Sequence, residues 1–411
     1  MKPLLFSFSL ILAVLASQHP LVATGSGAQA DGEVAPSGLL VGRLSGENLY
    51  QRARSGLVLY ENSSNPWVQS VSLMAQLQVQ YAYGSADVGK FGTQYMPDDL
   101  TWGDVEVRRY RLGVRGRLFG DVSFFNLTDL EPHFSNGVYK RFPEAYVTWH
   151  QSPAFNLSVG KCELKFSREQ EYASSRLLVF ERTAVANMLY GGELTGIWID
   201  GDEIAGGWQY YLGVYSNDRQ DEWPKFEGAG AIFLSKIGYD YTPASGFDRA
   251  IVKFQWLHNT RPGYSNSKTN PASPLYSNAF SLSNEIQEGR LGLTAEILLA
   301  DGAKGRPGVA AFSTMTTWAF NEKIELINVL EVAGSRKENG VILPARYEAL
   351  APDTGDRRGD SWFSGYVGVN YYLDGHHVKL MTGAKYSHLD GGTAGGDFSG
   401  WTWLAGLRMF F

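Results

Sequence analysis

Beyond its first 30 residues this chain holds no apolar run of the ~18 residues a membrane-crossing helix needs, yet segments of alternating apolar and polar residues recur along its length. From 69 to 84, Val71, Leu73, Ala75, Leu77, Val79, Tyr81 and Tyr83 share one parity. Ser70, Ser72, Gln76, Gln78 and Gln80 share the other, interrupted by Met74. Successive side chains of a strand point to opposite faces, so such a segment builds a sheet with one apolar and one polar side. About sixteen segments read this way, each near the ~10 residues of a tilted membrane strand. They fall near 69–84, 105–119, 121–130, 141–151, 154–163, 190–200, 203–216, 229–242, 249–259, 277–288, 289–300, 307–320, 322–334, 361–373, 375–388 and 397–411.

The connections alternate in length. Residues 85–104 make a long link and Gly120-Asp121 a tight one; Gln151-Ser152-Pro153 is tight and 164–189 long. Gly201-Asp202 is tight and 217–228 long; 335–360 is long and Asp374-Gly375 tight. Short turns at one end and long loops at the other are the habit of outer-membrane barrels. A secreted sandwich would show the same alternation, but it hides its apolar face and has no need of aromatic residues at strand ends. Here Tyr81, Tyr83, Trp102, Trp149, Trp208, Trp256, Trp318, Tyr371, Trp401 and Trp403 lie at or near those ends, as two aromatic girdles would require. The closing segment puts Trp401, Trp403, Ala405, Leu407, Met409 and Phe411 on one face. Charged residues make up 19% of the chain, below the ~25% usual for soluble domains. The expected fold class is therefore all-β, a transmembrane antiparallel barrel of about sixteen strands.

Met1-Lys2-Pro3 precedes an apolar run from Leu4 to Ala16, and Ala28-Gln29-Ala30 is a small-x-small cleavage pattern. This reads as a secretory signal peptide over 1–30, then a periplasmic leader over 31–68 and the barrel over 69–411. The single Cys excludes an internal disulfide or multi-cysteine metal site. The net charge of −6 argues against nucleic acid as a partner. No GxSxG, HExxH or P-loop pattern occurs. No enzyme activity, cofactor or metal is expected, and His376-His377 reads as part of a turn.

Several segments resemble the phosphate-selective porin O/P family. Glu106-Val107-Arg108-Arg109-Tyr110-Arg111-Leu112-Gly113 is similar to its Arg-rich strand, and Glu144-Ala145-Tyr146-Val147 to a following one. Val159-Gly160-Lys161, Phe166-Ser167, Ser174-Ser175 and Phe180-Glu181-Arg182 follow the order of its next stretch. Trp208 to Tyr215, Gly368 to Tyr372 and Arg408 also fit. The family's Gly-Lys-Phe-Lys reads Gly160-Lys161-Cys162-Glu163 here, and Gly191-Gly192-Glu193-Leu194-Thr195 lacks the family's Arg. The resemblance implies a trimeric sixteen-stranded porin in the bacterial outer membrane, with residues 164–189 folded into the lumen as a constriction loop.

A pore acts through the charge and radius of its lumen. Arg109, Arg111, Arg115 and Arg117 share one parity, with Tyr110, Leu112, Val114 and Leu118 on the other. An Arg facing lipid at mid-membrane costs ~2–4 kcal/mol, so the arginines are expected to face inward as an anion ladder. Guanidinium is always charged and binds oxyanions bidentately. Lys253, Lys379, Lys385 and Arg408 have lumen parity on other strands, and Lys161, Lys165, Arg168, Arg176 and Arg182 are assigned to the constriction loop. The expected function is passive diffusion of small hydrophilic solutes with an anion, phosphate-like preference. The alternatives are a general or other-solute porin and an outer-membrane barrel hydrolase. Expected partners are outer-membrane lipid, the diffusing solutes and two further copies of the chain.

Overall fold

The structure is a computed structural model that describes residues 49–88, 100–131, 137–204, 206–220, 222–224, 228, 230–264, 276–303, 305–344, 346–348, 358–391 and 397–411. The expected signal peptide, 1–30, and the leader as far as residue 48 lie outside the described residues.

Sixteen described strands close on themselves. They are β1 (Val68–Val88), β2 (Leu100–Leu118), β3 (Val122–Leu130), β4 (Tyr139–Ser152), β5 (Phe155–Glu163), β6 (Glu193–Ile204), β7 (Trp208–Ser216) and β8 (Ala231–Asp240). The circuit continues through β9 (Arg249–Asn259), β10 (Asn278–Glu288), β11 (Leu291–Ala300), β12 (Val309–Ala319), β13 (Ile324–Ser335), β14 (Ser361–Asp374), β15 (Val378–Asp390) and β16 (Phe398–Phe410). Each strand pairs antiparallel with the next, and β16 pairs back onto β1 with Arg408 opposite Gln78. Closure leaves no sheet edge, the condition for burying backbone in lipid. The expected segments and the long–short rhythm stand, except that the turn expected at Gly201-Asp202 falls later, because β6 stays paired with β7 as far as Ile204. At Gly289, for example, a positive φ of 55° lets the chain reverse between β10 and β11 in two residues.

Two stretches depart from the expectation. Residues 49–61, in the segment expected as leader, form helix α1 (Leu49–Ser55) and a short strand, Val58–Glu61. That strand pairs with Ser70–Ser72 of β1, just past the point where Phe411 exchanges two backbone hydrogen bonds with Ala75. It thus takes the pairing edge of β1 that β16 is too short to reach, and Arg54 anchors α1 to Asp374 at 3.0 Å. The second departure is Trp102, which does not join a girdle. Its ring turns inward over Gly84, where a Cβ would stand 2.1 Å from the indole, and it is buried near Phe398. Only a glycine leaves that space.

The outside is a continuous apolar surface. Leu73, Leu112, Val147, Ile197, Leu212, Ile237, Leu282, Ile297, Leu330, Val367 and Leu380 are exposed, with one or more on most strands. A soluble monomer does not present such a belt. Aromatic pairs sit near the short turns: Trp67 with Phe119, Trp149 with Phe155, Trp208 with Tyr239 and Trp318 with Phe320. Toward the long loops stand Tyr81, Tyr83, Trp256, Phe280, Trp401 and Trp403, all exposed.

Candidate functional site

Inside the barrel, the segment between β5 and β6 crosses the lumen from wall to wall. Its roots are apolar: Leu164, Phe166, Val185 and Leu189 pack with Cys162, Leu194, Trp198 and Tyr215 of the wall. Its far end, Phe180, packs with Ala82, Ile327, Tyr366, Met381 and Leu404 on the opposite side. Two short helices interrupt it, α2 (Arg168–Glu171), whose first turn Ser167 caps, and α3 (Ala184–Met188). The inward fold implied for 164–189 is thus present in the structure.

Irregular backbone inside a barrel must find hydrogen-bond partners. Here the wall supplies them. Lys379 Nζ donates to the Leu177 carbonyl at 2.6 Å, and Arg408 donates to Phe180 at 2.8 Å and Leu177 at 3.3 Å. Asn370 donates to Leu178 at 3.0 Å and Gln78 to Ser174 at 2.9 Å. At α3 the direction reverses, and the Glu331 carboxylate accepts the Ala184 and Val185 amides, both at 2.9 Å.

Ion pairs fix the rest. Glu171 lies 3.0 Å from both Lys236 and Lys253 and 3.5 Å from Arg168, whose guanidinium also pairs with Glu285. Burial opposes the Glu171 charge, but Lys236, Lys253 and Arg168 hold its carboxyl down to about 2. Glu181 meets Arg108 at 2.6 Å and Arg346 at 3.5 Å. Burial opposes that charge too, and Arg108 foremost brings it to about 2. Among the described residues Glu169 has no such cation. Burial, and then the Glu296 carboxylate, push it up to about 8.

The structure distributes the residues expected at the site as follows. Arg109 donates to Gln78 at 2.7 Å, and Arg111 pairs with Asp129, which Arg141 also meets at 2.8 Å. Arg115 and Arg117 are exposed toward the short-turn end, Arg117 bonding the Gly120 carbonyl at 2.7 Å. Lys253, Lys379, Lys385 and Arg408 all contact segments folded into the lumen: Lys253, Lys379 and Arg408 hold loop 164–192, and Lys385 pairs with Glu348 at 2.6 Å. In the loop, Lys165 interacts with Glu144 and Glu163, Arg176 is exposed, and Arg182 donates to the Glu169 carbonyl at 2.9 Å and meets Glu163 at 3.4 Å. Lys161 is a correction. It lies in β5, not in the loop, and its ammonium donates to the carbonyls of Gln220 at 2.6 Å and Glu222 at 2.8 Å. The strand persists to Glu163 because β6 pairs with it that far.

Sequence parity missed Arg108 and Glu106. Gln78 pairs with Arg109, but Val79 pairs with Val107, so Arg108 is an extra residue in β2. A bulge reverses the parity beyond it, which is why Arg108 and Arg109 both reach interior partners, Glu181 and Gln78. Beyond the bulge Glu106 meets a second segment folded inward. Residues 346–348, between β13 and β14, dock in the lumen. Arg346 pairs with Glu106, the Tyr347 hydroxyl donates to Glu106 at 3.2 Å and accepts from Gln80, and Glu348 accepts from Lys385 and, at 3.0 Å, Ser387.

Between residues 177–183 of the loop and the wall a cavity of about 260 Å³ remains. Leu177, Leu178, Val179, Phe180, Met315 and Val329 line it, with Glu169 and Glu296 among its polar groups. A closed sixteen-stranded barrel, apolar outside and charged within, with a loop drawn across its lumen, has the architecture of an outer-membrane porin.

The comparisons agree with this class and with the resemblance read from the sequence. The family model for phosphate-selective porin O and P matches residues 74–231, from within β1 to the first residue of β8. No curated protein matches the chain. Among solved structures the chain is similar to the outer-membrane channel DcaP of Acinetobacter baumannii, at 12% identity over 85% of this chain and 100% of that one, with a TM-score of 0.53. It is similar to an anion-selective porin from Comamonas acidovorans at 13% identity, over 83% and 99%, with a TM-score of 0.54. Against OprB of Pseudomonas putida the identity is 11%, over 82% and 94%, with a TM-score of 0.55. At these identities the likeness is one of fold.

Proposed function

We propose that the chain is a passive diffusion channel of the bacterial outer membrane that prefers small anions, reached by export through cleavage of residues 1–30. The observation that carries the reading is the inner face of β2. Arg109, Arg111, Arg115 and Arg117 follow one another along it, and the last two are exposed near the short-turn end. A fixed row of guanidinium groups in a confined aqueous path attracts oxyanions at several weak sites, which permits both entry and exit. The family match and the anion-selective porin of similar fold support this preference. We propose with it a homotrimer, as the resemblance implies.

Arg115 and Arg117 are the residues to test, because both are exposed. In planar bilayers across a KCl gradient, the wild-type reversal potential is expected on the anion-selective side, with chloride current reduced by added phosphate. Arg115→Glu with Arg117→Glu should move the reversal potential toward cation selectivity. An unmoved potential would remove the arginine row from the permeation path. A wild-type potential at zero would favour a general porin.

A further inference from the structure

The cavity beside loop 164–192 differs from the arginine row in being lined by charges of both signs. Its cations arrive already paired: Arg108 and Arg346 with Glu181, Lys385 with Glu348, and Arg182 with Glu163. Two of its carboxylates do not. Among the described residues neither Glu169 nor Glu296 forms an ion pair. Glu169 accepts the Thr183 amide at 2.7 Å. One oxygen of Glu296 accepts the Arg168 amide at 2.7 Å and the Ser281 hydroxyl at 2.5 Å. The other, Oε2, is buried with no hydrogen-bond partner, on a side chain only 2% exposed. Glu331, the third carboxylate nearby, is satisfied by the α3 amides and by Trp362 Nε1 at 2.8 Å.

A buried acceptor left without a donor costs free energy, the more so when charged. A bound cation would recover it. No group of three or more acidic, His or Cys side chains forms a metal cage among the described residues, and the remaining lining is largely apolar, from Leu177 to Phe180 on the loop and Met315 and Val329 on the wall. An apolar cleft with a few convergent polar groups is how proteins hold small organic molecules. We propose that this cavity is a subsite for an organic solute with an ammonium head, the head seated between Glu169 and Glu296 and the apolar body along Leu178, Phe180, Met315 and Val329. The inference rests on the reading of the chain as a channel. It adds to that reading a cationic amphiphile as a second solute class, held beside an anion-preferring path. The high proton affinity of Glu169 agrees with the arrangement, since in the empty cavity a proton offsets the repulsion a bound ammonium would offset.

The test is block of KCl current through the full-length channel by phenylethylammonium, with 2-phenylethanol and phenylacetate as the neutral and anionic analogues. The ammonium is expected to halve the current at a concentration about tenfold below that of the alcohol, the ratio one charge-assisted hydrogen bond supplies. Glu169→Gln with Glu296→Gln should abolish that advantage while current in plain KCl persists. Met315→Phe, which fills the cavity and spares both carboxylates, should also weaken the block, and it decides the matter if the double variant does not insert. Equal block by ammonium and alcohol, or block unchanged in the variants, overturns the subsite. A wild-type protein that carries no current overturns the channel reading instead.

Discussion

Arg108 stands where the period of two breaks on β2. On a regular strand it would point into lipid, at a cost of ~2–4 kcal/mol near mid-membrane. The bulge turns it inward, where it pairs with Glu181 at 2.6 Å. The parity of Arg109, Arg111, Arg115 and Arg117 was legible because alternation is a property of neighbouring residues. The bulge was not, since it depends on how β1 and β2 register. The same holds for the roles of the lumen bases. Sequence parity puts Lys379 and Arg408 inside, but only the fold brings the Leu177 and Phe180 carbonyls to them. Acid should expose how these contacts work. Glu171 and Glu181 are held at about 2, below the ordinary 4.5. Their ion pairs therefore stabilise the docked loop fully above about 4.5, and that stabilisation is lost as the pH falls through about 2. Single-channel current should be steady from neutral pH to about 4.5 and flicker increasingly below about 3 as the loop loosens. A current as quiet there as at neutrality would show that these pairs do not hold the loop.

Two elements narrow the lumen, and the sequence announced only one. Loop 164–192 occupies the position implied by the family resemblance, with an apolar root that packs under β5, β6 and β7. The segment 346–348 has no comparable signature. Polar and charged residues between two strands read as an external loop, and its inward turn becomes visible only when Glu106, Gln80 and Lys385 are seen on the facing wall. Its Arg346, Tyr347 and Glu348 line the cavity. Tyr347→Phe removes a hydrogen bond to a charged acceptor, worth about 1.5–3 kcal/mol. With Arg346→Ala it should free the segment and raise single-channel conductance. Unchanged conductance in the double variant would mean that the segment lies outside the rate-limiting part of the path.

At the scale of the molecule, the exposed belt marks the barrel's lipid boundary, and polar residues interrupt it at β3. Opposite the exposed Leu112, the outward positions of β3 include Asn126 and Thr128, polar groups ill-suited to hydrocarbon. A homotrimer would cover them. Native mass measurement in mild detergent should give three chains, and Asn126→Trp with Thr128→Trp should shift the protein toward monomer. A wild-type monomer under the same conditions would refute the assembly.

Strand number, the inner and outer faces, the hairpin rhythm and the arginine row were determined by the sequence alone. Each rests on a period of two or on the length of a connection, and both are local. The bulge at Arg108, the docking of 346–348, the capture of loop carbonyls by Lys379 and Arg408, and the unpaired carboxylates facing the cavity were decided by the tertiary structure. These contacts join residues as far as 267 positions apart, as between Gln80 and Tyr347. No local pattern encodes which of many polar side chains on a closed wall will meet a given carbonyl or charge, because that choice is made when the barrel closes and its interior groups must be satisfied together.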